Sequence, residues 1–287
     1  MLETVRDADS TRALPNLAQA LVDLLRSGEP TFHKDSSEYQ FRRVLFETLN
    51  RLPLNDALRS KIPSIWAGML HLLRHENEEN GITASKMLMD IVRGHRSLTE
   101  ENLADFVVIF QEAFAGMQGL VNQYLSEDAL PLDTNISLPA LHSFKVLGEM
   151  TMVMVLISQL HKNLVPTMFQ GTTALAFEVL ALESSAQHKA RTEYETMGGF
   201  WAGMSPTVHN PGLYSDFIYA QIKVRDLQSH ASGILFLSSQ MLQYLIFVIR
   251  QSGEISEPYG ETLVLSVLRL FQDCPANGVH LRKVIPD

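Results

Sequence analysis

The chain has 287 residues, of which 46% are hydrophobic, and this is enough apolar material to bury a large core. Twenty-three basic and 32 acidic residues give a net charge of -9, so the chain as a whole repels phosphate, which argues against a nucleic-acid ligand. Cys274 is the only cysteine, which excludes an intramolecular disulfide and a cysteine-based zinc site.

The amino-terminal segment, Met1 to Ser10, carries several charged side chains and no apolar run. A secretory signal requires a continuous apolar segment, so this pattern predicts an intracellular protein with a flexible terminus over residues 1–10. The two most apolar segments elsewhere are Met150 to Ile157 and Ile234 to Ile249. A membrane span needs about 20 mainly apolar residues, so we interpret both segments as buried core helices.

Two apolar stripes with helical spacing occupy the first fifty or so residues. The first runs from Leu17 to Leu25 and is followed by Gly28 and Pro30. The second consists of Phe41, Val44, Leu45, Leu49 and Leu52, and Pro53 follows it. Glycine accepts left-handed backbone angles and proline lacks an amide donor, so both residues end helices. The pattern predicts two helices that bury these stripes.

The next three helices are the clearest in the sequence, because their apolar residues recur at i, i+3, i+4 and i+7. The three stripes are Ile62, Ile65, Trp66, Met69, Leu70 and Leu73; Ala84, Met87, Leu88, Ile91 and Val92; and Leu103, Phe106, Val107, Phe110 and Phe114. Polar turns at Glu76–Asn80 and Gly94–Ser97 separate them, and Ser97 to Glu100 has the pattern of a capping box. This spacing predicts an all-α fold, an α-solenoid of stacked antiparallel HEAT-like helix pairs.

A polar, proline-containing segment, Ser126 to Pro139, separates these helices from a second block that starts near Leu141. We interpret it as an inter-repeat loop, with a domain boundary as the alternative. The second block contains the helical segments Phe144–Leu160, Val165–Leu182, Leu213–Leu227, Ile234–Ile249 and Leu263–Phe271, and the irregular segment Glu183–Gly212. We therefore expect residues 11–287 to form one solenoid with irregular loops near 126–139 and 183–212. The missing polar capping repeat at its end is typical of a fragment of a longer protein.

Catalytic and metal-binding motifs are not found in the sequence. His71 and His75 share a helix face, but Leu72 stands where a zinc protease has its catalytic glutamate. His95-Arg96-Ser97 has serine where a kinase catalytic loop has aspartate, and no nucleophile elbow or phosphate-binding loop occurs. The sequence predicts a protein that is not an enzyme and holds no cofactor or metal.

Four basic residues form the candidate binding site, namely Lys86, Arg93, His95 and Arg96. They come from one predicted helix and its following turn, in a chain that is acidic overall. A basic and apolar groove between stacked helices suits an acidic, amphipathic segment of a partner protein. We take these residues as a hypothetical protein-binding site, with scattered solubilising charges as the simpler interpretation.

Several short segments occur in the same order as in a known family. They are Arg42–Pro53, Asn55–Arg59, Glu76–Asn80, Ser143–Glu149, Val155–Leu160 and Leu270–Pro275. With these segments the chain resembles the amino-terminal HEAT region of the transformation/transcription domain-associated protein family. The segment 183–212 shows no family pattern.

The resemblance implies a fragment of a very large pseudokinase related to the phosphatidylinositol-3-kinase-like kinases. Such a fragment would be a nuclear scaffold without activity of its own in SAGA- and NuA-type histone acetyltransferase complexes. Its implied partners are transcriptional activation domains and coactivator-complex subunits, with no direct contact to nucleic acid, a membrane or a small-molecule substrate.

Two other functions stay open at the level of sequence. A helical-repeat glycosylase would need a basic concave face and a set of carboxylate or aromatic side chains that reaches a flipped-out base. The negative net charge of the chain argues against such a face. A cytoplasmic adapter or transport solenoid is compatible with the composition. DNA binding with steep salt dependence distinguishes the first from a coactivator segment.

Overall fold

The computed structural model describes residues 10–95, 98–116, 119–120, 133, 135–161, 240, 243–244, 246–247, 261, 265 and 268. The chain divides into two compact units. The first comprises Met1–Phe114 and Thr134–Met168, and the second comprises Ala115–Asp133 and Phe169–Asp287. The helices discussed here belong to the first unit, apart from the last residue of one of them.

Helices account for the regular structure in the described ranges, where the pairing of extended backbone is limited to two isolated bridges. The α-helices are α1 (Ser10–Ser27), α2 (Ser37–Asn50), α3 (Ile62–His75), α4 (Glu78–Gly94), α5 (Glu100–Ala115) and α6 (Phe144–Leu160). Single 3-10 turns lie at Asp56–Leu58 and Ala140–His142. The predicted all-α class is confirmed, and α6 has the predicted bounds.

Polar side chains start four of these helices, α2, α4, α5 and α6, by accepting hydrogen bonds from free backbone amides. Ser36, Asn77 and Ser143 do so for α2, α4 and α6. For α5 the residue is Thr99, whose Oγ1 accepts from the Asn102 N–H at 3.3 Å while Asn102 Oδ1 accepts from the Thr99 N–H at 3.1 Å. The predicted capping box is therefore displaced by two residues, and Ser97 lies outside the described ranges.

The helices pack as a stack of pairs. Helix α1 packs against α2 and α3 against α4, and in addition α1 lies on α3 and α2 on α4. Only Glu76 and Asn77 separate α3 from α4, so these two helices are antiparallel. Helix α5 contacts α3 through Trp66, whose indole N–H donates to the Asn102 carbonyl at 2.9 Å and whose ring centroid is 6.1 Å from that of Phe106. Helix α6 packs on α4 and extends the layer of α2 and α4, as expected for an α-solenoid.

The predicted stripes of α3 and α4 are buried throughout, and that of α5 is buried except for the half-buried Val107. The prediction for α2 is wrong on one side. Phe41 and Val44 are 58% and 57% exposed, whereas Tyr39, Arg42 and Phe46 face the core. The reason is that α1 and α4 cover only one side of α2, and in the described ranges no helix layer covers the other.

Residues 135–140, which we call the strap, form an ordered part of the first unit. In the strap, the Asn135 carbonyl accepts a hydrogen bond from the Lys34 N–H at 2.8 Å, and the Ser137 N–H donates one to the Phe32 carbonyl at 2.7 Å. Further along, the Ala140 N–H donates to the Glu76 carbonyl at 2.8 Å. The predicted loop 126–139 thus ends in a segment that pairs with the α1–α2 connection and the α3–α4 turn.

Several predicted features lie outside the described ranges. They are residues 1–9, the loop positions 126–132 and 134, the helices Val165–Leu182 and Leu213–Leu227, the segment 183–212, and most of 234–249 and 263–271. Among the helices that the structure does describe, none is long and apolar enough to cross a membrane.

Candidate protein-binding surface

Helix α4 places two of the four candidate residues on one surface. Lys86 and Arg93 are seven residues apart, which is close to two helical turns, and both side chains are exposed. The helix is stable in this position because Glu78 and Glu79 lie in its first turn and Arg93 in its last, each complementing the helix dipole. Its opposite face is buried against α2, α3 and α6.

Asp90 lies on the same exposed face and reduces its positive charge. Its Oδ1 is 3.7 Å from Arg93 Nη1, and the two side chains are 54% and 55% exposed. An exposed pair of this kind contributes little stability, but it lowers the positive potential that an acidic partner would meet. Lys86 forms no ion pair within the described ranges. The sequence alone could have identified Asp90 as a neighbour of Lys86, because residues four apart lie on the same face of a helix.

His95 does not share this surface, since it is only 6% exposed. Its backbone N–H donates to the Ile91 carbonyl at 2.9 Å and closes the last turn of α4. The imidazole Nε2 is buried and finds no hydrogen-bond partner in the described part of the chain. Arg96 lies outside the described ranges. The structure therefore brings Lys86 and Arg93 together and separates His95 from them.

Arg43 and Lys145, two basic residues of the neighbouring helices, are paired with glutamates. On α2, Arg43 is 3.2 Å from Glu47 and 3.9 Å from Glu79 of α4. On the other side of α4, Lys145 of α6 is 3.8 Å from Glu78. The charges around the amino-terminal end of α4 therefore nearly cancel. The positive charge on this surface that has no ion-pair partner in the described ranges is that of Lys86.

A second feature is a cleft of about 300 Å³ between the carboxyl-terminal ends of α1 and α3. Its floor includes Arg42, whose guanidinium donates to the Leu25 and Gly28 carbonyls at 3.0 Å each and pairs with Glu76. The other Glu76 oxygen accepts from the Asn80 amide at 3.1 Å. Both Nη atoms of Arg42 and both Glu76 oxygens are therefore used in hydrogen bonds that join helices, whereas the buried Arg42 Nε has no hydrogen-bond partner in the described part of the chain.

His71 and His75 lie at the rim of this cleft, with ring centroids 4.8 Å apart. Burial lowers the pKa of His71, and the positive charges of His75, Arg26 and Arg74 lower it further. Two arginines beside the pair also repel a cation. Within the described residues, no set of three histidine, cysteine or carboxylate side chains is arranged to hold a metal ion.

Comparison with known proteins gives a consistent group of relatives. The chain is 23% identical over 94% of its length to the human transformation/transcription domain-associated protein, and 23% identical over 93% to the Schizosaccharomyces pombe SAGA complex/NuA4 acetyltransferase complex subunit Tra1. It is 22% identical over 92% to the corresponding Saccharomyces cerevisiae subunit. It spans only 7% or 8% of the length of these relatives. No protein-family model matches, and no solved structure is significantly similar.

Proposed function

Since this chain is a homologue of the transformation/transcription domain-associated proteins, we propose that it is a non-catalytic scaffold segment of a transcription coactivator of SAGA/NuA4 type. The observation that carries this proposal is the extent of the match, which covers more than nine tenths of the chain. A match of this extent relates the whole helical array to the relatives, whereas a shared motif would cover only a few turns. The proposal places the protein in the nucleus.

The architecture suits a scaffold because stacked helix pairs offer a long surface built from many exposed helix faces. Two of the relatives bear the name of SAGA and NuA4 acetyltransferase complex subunits. We extend this to the present chain as a proposal that neighbouring coactivator subunits are among its partners. In this role the segment binds partner proteins and needs no catalytic step, cofactor or metal.

Transcriptional activation domains are the second proposed class of partner, bound through the outer face of α4. Lys86 and Arg93 are the proposed contacts, with Arg96 as the next basic residue along the chain. His95 supports the end of α4 from inside and makes no direct contact in this proposal. Exposed charges steer an acidic segment and set its association rate more than they set its affinity. Disordered segments also lose entropy on binding, so we expect weak, salt-dependent complexes.

The test is binding of a fluorescently labelled acidic activation-domain peptide to the full chain, measured by anisotropy at two salt concentrations. Lys86→Glu and Arg93→Glu should each weaken binding by about threefold or more, because each replaces attraction by repulsion. Arg51→Glu is the matched control, since Arg51 is an exposed arginine that follows the end of α2 and lies outside α4. Equal weakening by all three variants would show a net-charge effect and exclude the α4 site. No saturable binding would overturn activator docking itself.

A further inference from the structure

The cleft between the carboxyl-terminal ends of α1 and α3 is lined by basic side chains from three helices. Arg26 comes from α1, Arg42 from α2, and His71 and His75 from α3. With a volume of about 300 Å³, the cleft is at the lower end of the size range of ligand sites in proteins. This size suits a small group rather than a large cofactor. We call it the histidine cleft.

Several donors of the histidine cleft are not used by the protein itself. Arg26, His71 and His75 are exposed and form no ion pair within the described ranges. At the floor, the two Nη atoms of Arg42 are occupied, but its buried Nε has no hydrogen-bond partner in the described part of the chain. A buried donor without a partner is costly and calls for a bound water or ion. The cleft thus offers N–H groups from three helices.

The charges that act on His71 are positive. Burial lowers the pKa of His71, and His75, Arg26 and Arg74 lower it further. The ring of His75 is 4.8 Å away between centroids, and Arg74 is held 3.0 Å from Glu112 of α5. An anion beside His71 reverses this effect, because it stabilises the protonated ring. The histidine pair is therefore suited to an anionic ligand and opposes a cation.

Two carboxylates also line the cleft and reduce its positive charge. Glu76 is neutralised by its ion pair with Arg42. Glu29, in the α1–α2 connection, is exposed and forms no ion pair within the described ranges. The charge of Glu29 balances that of Arg26 as long as the two histidines are neutral. Protonation of the histidines then makes the cleft positive.

We propose that the histidine cleft binds a phosphoryl group, either as free phosphate or on a phosphorylated residue of a partner protein, through Arg26, His71 and His75. A phosphoryl group has three terminal oxygens that point to different sides, which matches donors from three helices, whereas a planar carboxylate has two. Binding takes up protons, so it strengthens as the pH falls through the range in which histidines titrate. This inference goes beyond the scaffold function proposed above, because the two sites share no residue.

The first measurement is a pH titration of the histidine ring signals of the full chain by NMR, in sodium sulfate and in sodium chloride at equal ionic strength. Sulfate is a tetrahedral dianion whose charge stays constant in this range, so the titration reports on the protein alone. Sulfate should raise the pKa of His71, and the His71→Gln variant assigns its signal. His33 is exposed outside the cleft and should titrate identically in both salts. No effect on His71, or an equal effect on His33, would overturn the inference.

The second measurement is calorimetric binding of inorganic phosphate and of a glycine pentapeptide with a central phosphoserine. Arg26→Gln and His71→Gln should each weaken binding by about fivefold or more, because each removes a charge-assisted donor. Glu29→Gln should tighten binding by about threefold, because it removes an opposing carboxylate. Such a gain cannot come from misfolding. Arg59→Gln is the matched control, since Arg59 is an exposed arginine outside the cleft.

The two ligands distinguish the sources of the phosphoryl group. Tighter binding of the phosphopeptide supports a phosphorylated partner protein, and tighter binding of inorganic phosphate supports the free ion. Binding of neither ligand would overturn the inference. So would equal weakening by Arg26→Gln and Arg59→Gln, which would show a net-charge effect.

Discussion

The guanidinium of Arg42 and the carboxylate of Glu76 form an ion pair whose side chains are only 7% and 0% exposed. Arg42 belongs to α2 and Glu76 follows the end of α3, so the ion pair joins the first helix pair to the second. Arg42 also caps the last carbonyls of α1, and Glu76 accepts from Asn80 in the first turn of α4. One buried pair thus connects four helices of the first unit.

We expect Glu76→Gln to lower the free energy of unfolding by about 3 kcal/mol, because it leaves the Arg42 charge buried without its partner. Urea denaturation followed by circular dichroism measures the effect. Glu47→Gln is the control: Glu47 pairs with Arg43 and Arg51, but its side chain is 43% exposed. Loss of these exposed ion pairs should change the free energy of unfolding by about 0.5 kcal/mol or less. Similar losses for both variants would contradict a special role of the buried pair.

Two glycines of α4 provide a test of how the strap packs. A Cβ atom on Gly81 would lie 2.5 Å from the Cβ of Ala140, whereas one on Gly94 would have no neighbour within 4 Å. Gly81→Ala should therefore destabilise the protein by about 1–3 kcal/mol through overpacking, despite the higher helix propensity of alanine. Gly94→Ala should be neutral or stabilising by up to about 1 kcal/mol. Thermal melts distinguish the two, and a harmless Gly81→Ala would show that the strap does not pack on α4.

The buried phenol of Tyr39 predicts a stability loss at high pH. Burial raises the pKa of Tyr39 to about 12 from its ordinary value of 10.0, and the negative charge of Glu79 acts in the same direction. Because the folded state holds the proton more tightly, this contribution is complete below pH 10 and is lost as pH rises toward about 12. Tyr39→Phe should lose stability less steeply in this window. Parallel pH profiles of the two proteins would contradict the raised pKa.

Removal of the Asp90 charge should strengthen the binding of an acidic peptide to α4. Asp90→Asn removes the acidic partner of Arg93 and should tighten the complex with an acidic peptide by about two- to threefold at low salt. Asp23→Asn is the control, because it removes the same charge from an exposed position on α1. An equal gain in both variants would point to net charge alone, and no gain in Asp90→Asn would remove α4 from the proposed site.

The sequence predicted α3 and α4 well because their apolar residues recur with helical spacing, and it predicted α6 well because this segment is apolar over most of its length. It was wrong about part of the buried face of α2, since burial of Arg42 depends on Glu76, which is 34 residues away. The strap was missed for the same reason, because its backbone partners Phe32 and Glu76 are distant in the chain. No local pattern carries such information.

The positions of the candidate residues could be predicted in part, and their role in binding stays a prediction. Lys86 and Arg93 share a face because helical spacing requires it, and the same spacing identifies Asp90 as their neighbour. The burial of His95 could not be read from the sequence, because a histidine just after a helix occurs equally in solvent. Its position depends on packing around the last turn of α4.

The most direct test of the scaffold function is purification of the tagged chain, under mild salt, from the cells that produce it. The purified material is then assayed for histone acetyltransferase activity and for coactivator subunits by mass spectrometry. A tagged helical-repeat protein of unrelated function serves as the control. Acetyltransferase activity and coactivator subunits enriched with the chain over the control are the predicted result. Recovery of the chain without either would contradict its assignment to a SAGA/NuA4-type coactivator.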